Sequence, residues 1–252
     1  MTVCISENGV EIRDQKYSGG LYALMIHEDG RPYHTFRTAT VLIDGSDVTC
    51  RNCTFENTAG PGKKVGQAIA LYLDGNNIIL ENCILEGHQD TLFLAPLPKA
   101  EREKDGFLGP KSSLARTDRT VYLKNCLITG DVDFVFGGAT AYFDNCEFRS
   151  NGPGYIFAPS TPEHVKEGFI VRNCRFTCTD DVPDQSCYIA RPWRDYGMVR
   201  LEHCELGRHI SPQGWHDWNK KDAHKSIRFF EFDSYGPGAE GTRPDYVTTG
   251  KL

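Results

Sequence analysis

Val121-Tyr122-Leu123-Lys124-Asn125-Cys126-Leu127-Ile128 is one of six copies of a short unit in this chain. Each copy has an apolar residue, a gap, a second apolar residue, a charged residue, Asn or His, Cys, a gap and a large apolar residue. The others run Val48–Phe55, Ile78–Leu85, Ala141–Phe148, Phe169–Phe176 and Val199–Leu206. Their cysteines, Cys53, Cys83, Cys126, Cys146, Cys174 and Cys204, are separated by 30, 43, 20, 28 and 30 residues. Recurrence at such steps suits a solenoid of stacked coils rather than a single wrapped core. Apolar residues alternate with period 2 before the Asn and again from the Cys onward, as in strands with one buried face. The phase slips between the two halves, so the chain bends there, and Asn tolerates the left-handed conformation the bend needs. The charged residue then points to solvent. Strand, tight bend, strand, repeated, is a parallel β-helix, an all-β fold in which each coil pairs with those above and below. An antiparallel sandwich would require six coincidental Asn-Cys units. No long amphipathic helix pattern supports an α/β fold.

The repeat runs from about residue 41 to 232 without a linker-like break, which predicts one domain over 1–252. Residues 1–40 are Gly-rich and read as irregular or an incomplete first coil. Residues 94–120, with Pro96, Pro98 and Pro110, read as a long surface loop. It is long enough to wall a groove, although its charged run Lys99–Asp105 reads as solvated. Residues 234–252 read as an irregular tail. The net charge of -6 gives no nucleic-acid footprint, and leaves room only for a local basic groove toward an acidic polymer. No apolar stretch is long enough to span a membrane. Six of the ten cysteines share one repeat slot and predict a packing ladder of small apolar side chains. Cys50 stands where other copies have Leu, Phe or Val, so Cys50-x-x-Cys53 reads as packing rather than as a redox or zinc pair. Cys4, Cys178 and Cys187 lie outside the ladder. Met1–Glu7 carries neither a basic segment nor an apolar run, so no signal peptide is expected. Cysteine-rich packing then suits the reducing cytoplasm, or a secreted protein whose leader has been removed. The oligomeric state is not legible.

Two segments depart from the ordinary unit: Gly87-His88-Gln89-Asp90-Thr91-Leu92-Phe93 and Gly130-Asp131-Val132-Asp133-Phe134-Val135-Phe136-Gly137-Gly138. Both begin with Gly four residues after a ladder Cys and carry Asp seven after it. In adjacent coils those two Asp residues would stack at the spacing of paired strands, about 4.8 Å. Carboxylates that close repel, so one keeps its proton at neutral pH. The pair then supplies an acid and an ionised partner from one residue type. Asp181 is also seven after a ladder Cys, but lacks the Gly and Phe context. Asp131 rivals Asp133 and yields to it on register. In Tyr188–Trp193, Arg191 would pair with a carboxylate and hold it ionised, and Trp193 would offer a flat face to a sugar ring. In Gly66–Leu71, Gln67 would donate to a developing oxyanion or satisfy a turn. No cluster with metal-ligand spacing is present, and no metal or cofactor is expected.

Taken together and in this order, Gly66–Leu71, His88–Leu92, Asp133–Gly137 and Arg191–Trp193 resemble the motif set of the pectin methylesterases, and the Gly-Asp-Val-Asp-Phe variant resembles bacterial members. Thr35–Thr40, Phe55–Gly60 and Ser234–Ala239 add to the likeness. The resemblance implies a right-handed parallel β-helix of the pectin-lyase-like kind. It also implies hydrolysis of methyl esters on galacturonate units of pectin or methylated oligogalacturonides, with release of methanol. Asp133 would be the nucleophile, and Asp90 the acid that then serves as base. Gln89 and Gln67 would bind the oxyanion, and Arg191 would hold Asp133. Trp193, Thr35 and Phe136 would contact substrate. The family's opening Gly-x-Tyr-x-Glu turn has no counterpart here, Ala190 replaces a usual Gly, and the chain reads as shortened at both ends. Paired acids alone would also suit a β-helical glycoside hydrolase on the same polymer, and a stack with a dead site would be a carbohydrate-binding β-helix. The Gln and Arg residues around the acids favour ester chemistry.

Overall fold

The computed structural model describes residues 2–252. The chain winds as a parallel β-helix whose coils each contribute up to three short strands. One coil holds Leu71–Leu73, Ile78–Glu81 and Ile84–Glu86, and its successor holds Leu92–Leu94, Thr120–Lys124 and the start of Leu127–Gly137. The named strands pair in parallel, and the second strands stay in register from coil to coil: Ile78 pairs with Val121, Val121 with Ala141, Ala141 with Phe169, and Phe169 with Val199. Among the described residues the only α-helix is the four-residue turn Gly62–Val65.

The bend between the second and third strands of each coil lies where the repeat changes phase. Asn52, Asn82, Asn125, Asn145, Asn173 and His203 all have φ between 52° and 54°. Asn suits this conformation because its short amide bonds locally, whereas other L-residues lose energy there. The amides also bond along the stack: Asn145 donates to Asn125 (2.7 Å) and Asn125 to Asn82 (3.2 Å). Asn125→Ala should therefore destabilise the fold by about 2 kcal/mol, from the left-handed penalty and the lost amide bonds. Asn125→Gly should lose less, since glycine adopts positive φ freely. Urea denaturation of both variants checks the order, and an Ala variant as stable as the Gly variant would contradict it.

Of the two readings of residues 1–40, irregular or a first coil, the structure takes the second: Val3–Ile5, Glu11–Arg13 and Lys16–Gly19 pair with the three strands of the next coil. Asp14 (φ 56°) takes the place of the bend Asn, and Tyr17 stacks on Phe55. At the other end Asp233 (φ 50°) makes an equivalent bend, and Val247–Gly250 in the tail pairs with Arg228–Phe232. The charged position is also not uniformly solvated, because Glu202 is buried between Arg172 (2.6 Å) and Arg200. The signs at this position alternate along the stack: Arg51, Glu81, Lys124, Asp144, Arg172, Glu202. Registered pairing makes each the cross-strand neighbour of an opposite charge, which favours this register over a slipped one.

The six ladder cysteines are buried inside the coils, and all ten cysteines are unbridged. A hydrogen bond with the Cys146 thiol, then burial, push the Cys126 thiol up to about 12, and burial does the same for Cys204, which suits inert packing. Val41–Ile43, Leu71–Leu73 and Leu92–Leu94 are buried on both faces and so read as unbroken apolar runs. Their outward row, Leu42, Tyr72, Phe93, Phe136, Ala158, follows the register and is covered by Phe36 and by the 95–119 segment. That segment has no strand, but it is docked. Leu97 and Phe107 are buried, Lys111 donates to Asp44 (2.5 Å), and Arg119 donates to the Asp74 carbonyl (2.6 Å).

Candidate active site

The turns from the third strand of one coil to the first strand of the next all open on one flank. Asp90 lies between Ile84–Glu86 and Leu92–Leu94; Asp133 occupies the equivalent bend within Leu127–Gly137. Leu92 pairs with Val135 and Phe93 with Phe136, and the Asp90 N–H donates to the Val132 carbonyl (3.0 Å). The two acids are thus register partners in consecutive coils. Both are in the left-handed region, Asp90 at φ 65° and Asp133 at φ 50°. This conformation interrupts the strand alternation, and Asp tolerates it better than most residues. Close approach is secured by glycine. A Cβ on Gly130 would sit 2.2 Å from that of Phe134, and one on Gly62 would sit 2.4 Å from that of Gln89.

Arg191 follows Cys187–Ala190, the first strand of a later coil. Its Nε donates to Asp133 Oδ1 (2.8 Å) and its Nη2 to Oδ2 (2.6 Å), a two-point grip on one carboxylate. The guanidinium is clamped between the Tyr155 ring (3.9 Å to the centroid) and the Trp218 ring (3.7 Å). Trp218 itself has φ 56°, rare for a bulky residue, and its N–H donates to His216 Nδ1 (3.0 Å). Desolvated cation–π contacts on both faces hold the plane of the guanidinium as well as its charge.

Asp90 and Asp133 are each only 7% exposed. Burial, then the neighbouring charge of Asp133, raises the Asp90 carboxyl well above the usual carboxylate range. Burial also raises Asp133, but the hydrogen bonds and charge of Arg191 oppose it. Asp133 therefore gives up its proton first, and Asp90 keeps its own. Asp131, the rival in its segment, is tied elsewhere: it accepts from the N–H of Val132 (2.6 Å) and of Gly62 (3.3 Å), and lies 3.5 Å from His88. Asp181 is on an exposed turn and accepts from Thr179.

A cleft of about 400 Å³ runs over these groups. Its walls include all eight residues singled out from sequence: Thr35, Gln67, Gln89, Asp90, Asp133, Phe136, Arg191 and Trp193. Among the described residues, the side-chain amides of Gln67 and Gln89 have no protein hydrogen bond, which leaves them free to donate into the cleft. Phe136 is 3% exposed and forms floor. Trp193 is partly exposed in the cleft, stacked 6.5 Å from Phe36, with the Arg194 guanidinium 4.8 Å from its ring centroid. The run Lys99–Lys104 is exposed, as expected, and from it Arg102 and Glu103 line the cleft with Phe107 and Arg194. Sequence reasoning missed Tyr155, Arg194 and Trp218, which occupy no repeat position.

Comparison with known proteins places this geometry in context. The family profile described as "Pectinesterase" matches residues 23–99 and 108–245. A pectinesterase of Petunia integrifolia is 32% identical over 216 residues, 81% of this chain and 51% of its own length. Pectinesterase 31 of Arabidopsis thaliana is 31% identical over 206 residues, 81% of this chain and 57% of its own length. The chain thus spans about half the length of these curated relatives. Among solved structures, pectin methylesterase PemA from Erwinia chrysanthemi superposes with a TM-score of 0.78 at 24% identity, covering 98% of this chain and 80% of that one. A pectin methylesterase solved in complex with a hexasaccharide gives 0.76 at 24%, with 98% and 80% covered. The likeness makes the fold a right-handed parallel β-helix.

Proposed function

This chain belongs to the pectinesterase family, and on that premise we propose that it hydrolyses methyl esters of galacturonate units in pectin or pectic oligosaccharides, with Asp133 as nucleophile and Asp90 as general acid and base. The observation that carries the proposal is the unequal treatment of two stacked carboxyls: Arg191 grips Asp133 alone, while Asp90 is left buried beside a negative charge.

An Asp133 oxygen attacks the ester carbonyl, and the carbonyl electron pair moves onto oxygen. The amides of Gln67 and Gln89 donate to that oxyanion; fixed donors matter most where charge develops. As the tetrahedral species collapses, the C–OCH3 bond breaks and the Asp90 proton goes to the departing oxygen, which leaves as methanol. An anhydride now joins Asp133 to the substrate acyl carbon, and Asp90 is ionised. Asp90 takes a proton from water, the water oxygen attacks the acyl carbon, and Asp133 departs as carboxylate. Asp90 ends protonated, as it began. Arg191 stabilises Asp133 as attacking and as leaving carboxylate.

The polymer as substrate is supported by family membership and by the hexasaccharide in a structural neighbour. On methylated oligogalacturonides the chain should release methanol and create no new reducing ends. Reducing ends without methanol would select the glycosidase alternative, and saturable binding without turnover would select a binding protein.

A further inference from the structure

One buried carboxylate has no part in the ester chemistry derived so far. Asp131 is 8% exposed, is not among the walls of the cleft, and has no Lys or Arg paired with it among the described residues. Burying such a group is costly unless it is well bonded. Its bonds join the elements that carry both glutamine donors. Its Oδ2 accepts from the Gly62 N–H (3.3 Å), and its own N–H donates to the carbonyl of His88 (3.2 Å), the residue before Gln89. Gly62 opens the turn Gly62–Val65 and lies against Gln89, where a Cβ would sit 2.4 Å from the Gln89 Cβ. The turn closes with the Gly66 N–H on the Gly62 carbonyl (2.8 Å), and Gly66, at φ 76°, leads directly into Gln67. The Ala68 N–H, just past Gln67, donates to the Gln89 carbonyl (3.1 Å) and completes a circuit through Asp131, Gly62, Gln67 and Gln89. The Asp131 backbone is itself closely packed: a Cβ on Gly154 would sit 2.1 Å from its carbonyl oxygen. Its Oδ1 accepts from the Val132 N–H (2.6 Å), one residue before Asp133.

We propose that Asp131 is a positioning residue for the ester chemistry, holding Gln67 and Gln89 where the oxyanion forms and setting a third negative charge beside the reacting pair. This rests on the esterase function proposed above. Oxyanion donors work only when fixed in place, and a small misplacement is enough to lose much of their effect. The charge acts on both acids. Asp90 faces Asp133, Arg191 and Asp131; Asp133 faces Arg191 and Asp131; Asp131 faces His88 at 3.5 Å. Repulsion from Asp131 favours the protonated form of each acid, and so helps Asp90 keep the proton it must deliver.

The test is Asp131→Asn, which keeps the size of the side chain but removes the charge and one of the two acceptor oxygens. On a methylated oligogalacturonide kcat should fall about tenfold or more with KM within about twofold, since the donors act on the oxyanion rather than on the bound ester. Activity rises with pH as Asp133 ionises and falls as Asp90 ionises, so both limbs of the kcat/KM profile should move to lower pH in the variant. Gly62→Ala presses on Gln89 and leaves the charge in place, so it should lower kcat with the limbs unmoved. A loss of folded protein would lower the rate and leave both limbs where they are. With wild type active, an Asp131→Asn kcat within about twofold of it, a loss carried by KM, limbs that stay in place, or a Gly62→Ala variant at full rate would overturn the positioning role and leave the esterase function standing. Wild type that releases no methanol would overturn the two together.

Discussion

Asp133→Asn is expected to lower methanol release by at least about 10^4-fold with the β-helix intact. The amide keeps the size and one acceptor of the carboxylate but cannot attack an ester. Losses of that order follow removal of a nucleophile that has no substitute. Asp131, the other carboxylate of the same segment, is held by the Val132 and Gly62 N–H groups, and Asp90 keeps its proton. The variant should also unfold more easily, by about 1–3 kcal/mol, because Arg191 loses its counter-charge while Tyr155 and Trp218 continue to hold it. Turnover within tenfold of wild type, in protein with an unchanged circular dichroism spectrum, would remove Asp133 from the nucleophile role.

Asp90→Asn is expected to slow methanol release about 10^2- to 10^4-fold, the usual worth of a positioned general acid and base. Methoxide is a poor leaving group and needs the proton that Asp90 carries. An aryl ester of the same uronate, whose leaving group departs without a proton, should lose much less rate in its first step. Equal losses on methyl and aryl esters would count against the acid role. The same substitution should stabilise the fold at neutral pH. The folded chain holds the Asp90 proton more tightly than the unfolded chain does. Wild type therefore loses stability as pH rises from the ordinary carboxylate range, near 3.9, through the raised folded value, and Asn, which cannot ionise, does not. Thermal melts of both proteins at pH 4 and pH 7 should diverge as pH rises, with the variant more stable at pH 7.

The coil architecture was legible because one residue per coil must adopt a left-handed bend, which leaves Asn125 and its equivalents as fixed markers. Counting from those markers brought Asp90 and Asp133 together, since strand register carries a constant offset from bend to acid. The first coil was legible only as one alternative and the last not at all, because Asp14 and Asp233 make the same bend without a following Cys. The charged position was visible in every copy, but its alternation of sign acquires meaning only when the copies are stacked. The clamp on Arg191 was not legible. Tyr155 lies in the strand Glu147–Pro159, Arg191 just past Cys187–Ala190 and Trp218 in a later turn, and nothing periodic in the sequence says that their side chains converge. The 95–119 segment was legible as a surface loop that walls a groove, with its charges exposed; its docking through Leu97 and Phe107 was not, because the aromatic row they join exists only once the coils are wound.

The central claim is that stacking splits two identical carboxyls into an acid and a nucleophile. Site-resolved 13C NMR titration of the aspartate side chains, in wild type and in Asp133→Asn, tests it most directly. The expected result is that Asp90 titrates well above the ordinary carboxylate range and above Asp133, and that its titration moves down when Asp133 loses its charge. An Asp90 that titrates near 3.9 and ignores the substitution would contradict the account.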